Sequence, residues 1–152
     1  MKSIEDLVQD LHHPDHNFAY ASLKQLIEES KKSNRVYPFF YEFADMLEDE
    51  NSYVRNRGIA LISENARWDV DYKVDEVIDQ YLEHINDIKP ITARQCVKGL
   101  EAIILAKEDL IPDIKKALYQ AKVYKYASSM RELIEKDISN ILKIIQKKES
   151  QV

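Results

Sequence analysis

The sequence predicts an all-α fold, an α-solenoid of paired helices, and three observations carry that prediction. Apolar residues recur at helical spacing along the chain, with no sustained alternation of period two. Glycine and proline are scarce, two and four in 152 residues, too few for the turns of a β-fold. All four prolines fall where a helix should begin, in "HPDHN", "RVYPFF", "IKPITA" and "DLIPDI". A proline in the first turn loses nothing, because the N–H it lacks would have no intrahelical partner.

Taken in order, the elements follow from stripes and caps. Ile4, Leu7, Val8 and Leu11 form the apolar face of a helix near 3–12, with Ser3 as its cap. Asp15 opens a second helix near 16–32. Phe39, Phe40, Phe43 and Leu47 place a third near 36–48, and Asp49 precedes a fourth near 52–67. Val74, Val77, Ile78, Tyr81, Leu82 and Ile85 mark a fifth near 72–86, and Pro90 opens a sixth near 90–107. Asp109 and Ser128 are the caps expected for a seventh helix near 110–123 and an eighth near 129–147.

Alternate helices repeat. Val54-Arg55 matches Ala93-Arg94 and Met130-Arg131, and Phe18-Ala19 fills the same slot without the arginine. Four positions after the first residue of each pair stand Ser22, Gly58, Val97 and Ile134; Leu26, Ile62 and Ile138 extend that face, and Glu101 interrupts it in the third copy. Self-similarity of helix pairs at a near-fixed period is the mark of stacked hairpins that bury their apolar faces on one another. The chain thus divides into units near 1–34, 35–69, 70–108 and 109–150 of a single domain, a length that suits one core.

The run "EDENSYVRNRGIALI" resembles the second helix of a HEAT repeat, with Asp49, Val54, Arg55, Gly58 and Ile62 in the turn-Asp, Val-Arg and small or leucine-like slots. The combination "ENSYVRNRG…ARWD…KPITARQC" also resembles a group of small HEAT-like proteins of Gram-positive bacteria. The resemblance implies a short right-handed α-α superhelix of about four HEAT-like hairpins. Some of that group carry an iron–sulfur assembly label, which implies four thiolate ligands; this chain has one cysteine.

The totals narrow the function. Hydrophobic content of 45% with 32% charged residues fits a soluble globular chain. No run approaches the roughly 18 apolar residues of a membrane span, and "MKSIEDLVQDLHH" lacks the apolar core of a signal peptide. With Cys96 the single cysteine, a reducing, cytoplasmic setting is expected. A formal charge of −5 argues against non-specific nucleic-acid binding, which needs a basic field. The acidity is concentrated before residue 108, the last 45 residues being slightly basic.

Individual residues divide between packing and binding. Arg55, Arg94 and Arg131 stand at matching slots and are expected to form a structural ladder reaching turn carboxylates such as Asp49 or Asp87. Arg57 occupies a slot filled elsewhere by Ala21, Cys96 and Leu133, so it is either salt-bridged or open to an anion. Gly58 is expected to admit a close helix approach; Gly99 is left between that role and a concave groove. Trp68, between Arg67 and Asp69, is either an inter-repeat wedge or an exposed binding residue. Asp71, Asp75, Asp79, Glu83 and Asp87 recur every four residues and are expected on a solvated outer face. In "HHPDH", Pro14 breaks the helix that would align His12, His13 and His16, and no metal site is expected. Cys96 reads as a small packed residue, and the chain has no phosphate loop, CxxC, HExxH or GxSxG.

The expected function is therefore a non-catalytic protein- or peptide-binding scaffold without a cofactor, a monomer that binds through the concave face of its second helices. Its expected contact residues are Asn56, Arg57, Arg67, Trp68, Asp69, Arg94, Gln95 and Lys98. Two alternatives stand beside it. HEAT-like alkylpurine DNA glycosylases imply a Trp, an Asp and an Arg around a damaged nucleotide, for which Trp68, Asp69 and Arg94 have the residue types. A chaperone-like or assembly adaptor would instead dock other subunits on the ends of the solenoid.

Overall fold

The computed structural model describes residues 2–151, and among them there are helices and turns but no strand. The eight helices are α1 (Ile4–Asp10), α2 (His16–Lys32), α3 (Phe40–Met46), α4 (Ser52–Asn65), α5 (Lys73–Leu82), α6 (Pro90–Ala106), α7 (Ile111–Tyr119) and α8 (Ser128–Glu149). They lie where the periodicity places them. Several helices come out shorter than expected where their ends tighten into 3₁₀ turns, at Tyr37–Phe39, Ala66–Trp68, Glu83–Asn86 and Glu108–Leu110; a further 3₁₀ turn, Val123–Lys125, lies between α7 and α8.

Side-chain caps explain the first four starts only in part. Ser3 accepts from the Asp6 N–H and Asp15 from those of Asn17 and Phe18. At α4 the cap is Asn51, not Asp49; Asp49 stands two residues upstream and accepts from the Asn51 N–H, fixing the cap itself. The N-cap positions of α6, α7 and α8 are Lys89, Leu110 and Ala127, without a side-chain bond, so Asp109 and Ser128 do not cap as expected. Pro90 and Pro112 open α6 and α7 instead.

The even-numbered helices pack in succession, α2 on α4, α4 on α6 and α6 on α8. The odd-numbered helices form the other layer: α1 lies on α2, α3 on α4 and α7 on α8, while α5 touches both α3 and α7. Between the layers Phe40, Phe43, Leu47, Ile59, Ile62, Tyr81 and Leu100 are fully buried. Gly58 permits the closest approach. A Cβ there would stand 2.7 Å from the Phe43 carbonyl oxygen and 2.9 Å from the Met46 Cβ. Gly99 does not open onto a groove: a Cβ would run into the Tyr81 hydroxyl, and that hydroxyl donates to the Cys96 carbonyl.

The starts of the even-numbered helices give a register different from the one the residue pairs suggest. The N-cap residues of the even helices are Asp15, Asn51, Lys89 and Ala127, which are 36, 38 and 38 positions apart. Arg55 therefore matches Ala93 and Arg131, and Arg94 lies one residue out. The buried positions agree: Gly58, Ile59 and Ile62 correspond to Cys96, Val97 and Leu100. Glu101 is exposed, so the interruption of the third copy disappears. Arg57 now corresponds to Gln95 rather than to Cys96. The register from residue pairs and the register from helix starts thus differ by one residue in α6, a rotation of about 100° around the helix.

Candidate functional site

The candidate site is a cleft of about 400 Å³ between α2, α4 and α6. Leu23, Ile27 and Ala60 give it apolar walls; His16, Tyr20 and Tyr53 give it aromatic ones; Asn56, Arg57 and Gln95 supply the polar groups. Helical spacing explains the convergence. His16, Tyr20, Leu23 and Ile27 follow one another at intervals of three or four on α2, as do Tyr53, Asn56, Arg57 and Ala60 on α4. The His16 and Tyr53 rings stack at 4.2 Å between centroids, tying the starts of these two helices.

Arg57 is the unusual member. It is 4% exposed, and its one side-chain contact of hydrogen-bonding length is Nη2 to His16 Nδ1 at 3.4 Å. Arginine has no acceptor, so the imidazole Nδ1 must supply the lone pair and the His16 proton must sit on Nε2. The Arg57 Nε is buried with no hydrogen-bond partner. Burial lowers the pKa of this guanidinium, and the more distant charge of Asp49 opposes that only in part. A buried cation with an orphaned donor costs stability unless something pairs with it.

Among the other polar groups of the cleft, Asn56 is turned towards donation, while Gln95 carries both a donor and an acceptor. Thr92 donates its hydroxyl to Asn56 Oδ1 at 2.7 Å, which commits that oxygen and leaves the Asn56 amide NH₂ free. None of the lining residues is an Asp or Glu, although the chain as a whole carries a charge of −5. Lys24 adds a further cation above the Tyr20 ring, 5.2 Å from its centroid.

The remaining expected contact residues are placed elsewhere. Trp68 is partly buried against the core, and its indole N–H donates to the Ser30 carbonyl at 2.7 Å, so it wedges α2 against the end of α4. Arg67 is exposed, reaching the Lys31 carbonyl and Glu64; it borders a separate groove with Ala102 and Leu105. Asp69 is buried and engaged four times over: it accepts from the Tyr37 hydroxyl at 2.6 Å and the Lys73 and Val74 N–H groups, and pairs with Lys107 at 3.2 Å. It thereby caps α5 from upstream and holds Tyr72 in the left-handed region, φ 57°. Arg94 pairs with Asp137 of α8 at 2.7 Å, and Lys98 is exposed on α6.

The expected arginine ladder is thus two residues of one kind and one of another. Arg55 forks onto Asp87 at 2.8 and 3.0 Å and also donates to the Asp49 and Glu50 carbonyls. Arg131 likewise donates to the Tyr124 and Tyr126 carbonyls of its preceding turn. Arg94 also forks onto a carboxylate, Asp137 of α8 at 2.7 and 3.3 Å, but it stands one residue out of step with Arg55 and Arg131 and reaches a neighbouring helix rather than turn carbonyls. The acidic row also splits. Asp71, Asp79 and Glu83 are exposed, whereas Asp75 pairs with Lys107 at 2.7 Å and Asp87 is buried against Arg55 and His84. Asp71 precedes α5 and Asp87 follows the turn at Glu83–Asn86, so the four-residue spacing does not keep the row on one helical face.

Cys96 is fully buried; its thiol donates to the Tyr81 carbonyl at 3.3 Å, and burial pushes its pKa well up, away from nucleophilic reactivity. His12 and His13 are exposed, and among the described residues no group of three or more His, Cys, Asp or Glu is arranged to hold a metal ion. No helix of the described residues is long and apolar enough to cross a membrane. Neither a protein-family model, nor a curated protein, nor a solved structure matches the chain.

Sequence reasoning placed Asn56, Arg57 and Gln95 at the site and missed His16, Tyr20, Leu23, Ile27, Tyr53 and Ala60. One signal for the missed residues was present. Tyr20 and Asn56 are separated by the same 36 positions as the caps Asp15 and Asn51, which puts them on the same face of adjacent helices.

Proposed function

We propose that the chain is a HEAT-like right-handed solenoid of four helical hairpins, and that it works as a non-catalytic scaffold holding a protein or peptide segment against its even-numbered helices. The succession of α2, α4, α6 and α8 and the cap spacing of 36, 38 and 38 support the repeat reading. The observation that carries the binding reading is Arg57, a buried guanidinium with an orphaned Nε at the wall of a cleft rimmed by aromatic side chains. Arg and Tyr are the residue types enriched where a few contacts dominate affinity.

The glycosylase alternative would need Trp68, Asp69 and Arg94 free and convergent. Their hydrogen-bonding groups are instead engaged by Ser30, by Tyr37 and Lys107, and by Asp137 respectively. The geometry favours the scaffold.

The test is a selection of random peptides on the purified protein, followed by titration of the selected peptides into isotope-labelled protein with amide chemical shifts as the readout. Shifts centred on His16, Tyr20, Arg57 and Gln95 are expected. Selected peptides that shift only the outer face, along α5 and α7, would sink the proposal, and so would a selection that yields no binder.

A further inference from the structure

Resting on that scaffold reading, we infer that the cleft between α2, α4 and α6 captures the C-terminal residue of a partner chain, its free carboxylate on Arg57 and its apolar side chain against Leu23, Ile27 and Ala60. Three observations point to it.

The first is charge. Arg57 lines the cleft and is buried without an anion, its Nε unpartnered beneath the cleft wall, and the cleft itself contains no carboxylate. Other buried cations of this chain are answered: Arg55 by Asp87 and Lys107 by Asp69 and Asp75. Arg57 is left for a ligand, and a planar fork of donors fits a carboxylate in particular.

The second is the balance of donors and acceptors. Arg57 and the Asn56 amide NH₂ offer donors, and the Asn56 oxygen is already held by Thr92. A segment threading through would bring backbone N–H groups that need acceptors. A chain end brings two carboxylate oxygens and one fewer peptide N–H to satisfy.

The third is layout. The cleft is more enclosed than the clefts of the outer layer, and its apolar wall lies beside the guanidinium. A terminal residue presents carboxylate and side chain from one Cα, so both ends of the cleft are filled together. The exposed rings of Tyr20 and Tyr53 then flank the approaching chain.

Two pools of random heptapeptides decide the matter, identical except that one has free C-terminal carboxylates and the other C-terminal amides. A third pool is amidated and carries one internal glutamate. Binding is measured by fluorescence polarisation and located by amide shifts. Free-acid peptides ending in an aliphatic residue should bind in the cleft, and amidation should weaken them about tenfold to a hundredfold, the range for losing a charge-assisted hydrogen bond. The Arg57→Met variant should melt at the wild-type temperature or above, since it replaces an unpaired buried cation with an apolar side chain. On that variant the free and amidated peptides should bind alike. If amidated peptides match the free acids on the wild type, or the internal-glutamate pool binds better, the terminal carboxylate is not the recognised group and the scaffold reading survives. If no pool binds, both fall. Should Arg57→Met fail to fold, Arg57 is a structural cation, and only an amidation effect on the wild type would then keep the inference alive.

Discussion

Buried charge is handled in two ways in this chain, and the difference separates structure from function. Asp69 accepts from four donors and ties α5, Tyr37 and Lys107 together, so its removal leaves Lys107 with Asp75 alone and uncaps α5. Asp69→Ala should lower the unfolding free energy by about 3–5 kcal/mol, the cost of breaking a buried pair, read from urea midpoints at neutral pH. A loss within 0.5 kcal/mol, the scatter of ordinary surface changes, would show that the network contributes little. Arg57 is the contrasting case. Its oddity was legible in the sequence as a charge opposite Ala21 and Leu133, although the position the sequence matched to Cys96 is Gln95, a polar residue that also lines the cleft. The fate of the Arg67-Trp68-Asp69 ending was not, since whether a helix end faces water depends on the neighbouring helix, and it is Ser30 of α2 that takes the Trp68 N–H.

At the scale of elements, helix number and position could be read from apolar spacing and from proline, which act locally. Register between copies could not. It depends on which residue the neighbouring helices admit, and Ala93, fully buried, fills the slot that Arg94 shared by residue type alone. Gly58 shows the same pressure as a packing distance. Alanine would gain about 1 kcal/mol in helix propensity. Its Cβ would however lie 2.7 Å from a backbone oxygen of α3, which cannot rotate away as a side chain does. Gly58→Ala should therefore destabilise by about 1–3 kcal/mol, the cost of overpacking. A rise in the urea midpoint would mean that α3 and α4 separate more easily than their packing implies.

Across the whole molecule, few charged side chains are buried between distant segments, and Asp87 is one that ties α4 to the start of α6. It accepts from Arg55 of α4, from His84 and from the Lys89 N–H that opens α6. Burial alone would raise its pKa, but the hydrogen bonds from His84 and Arg55 outweigh that and hold the carboxyl well below the ordinary range. An unfolded Asp titrates near 3.9, above the folded group, so at lower pH unfolding takes up a proton. The stabilisation is complete above about pH 4 and drains away as pH falls towards the folded value. Asp87→Asn keeps the shape and removes the charge, and it should cost about 3–5 kcal/mol near neutral pH by leaving Arg55 buried and unpaired. As pH drops below about 4, the wild type loses what the variant never had, and the two urea midpoints should converge. A gap that stays constant down to the acid transition would place the pairing energy in the Arg55 bonds to the Asp49 and Glu50 carbonyls, which do not titrate.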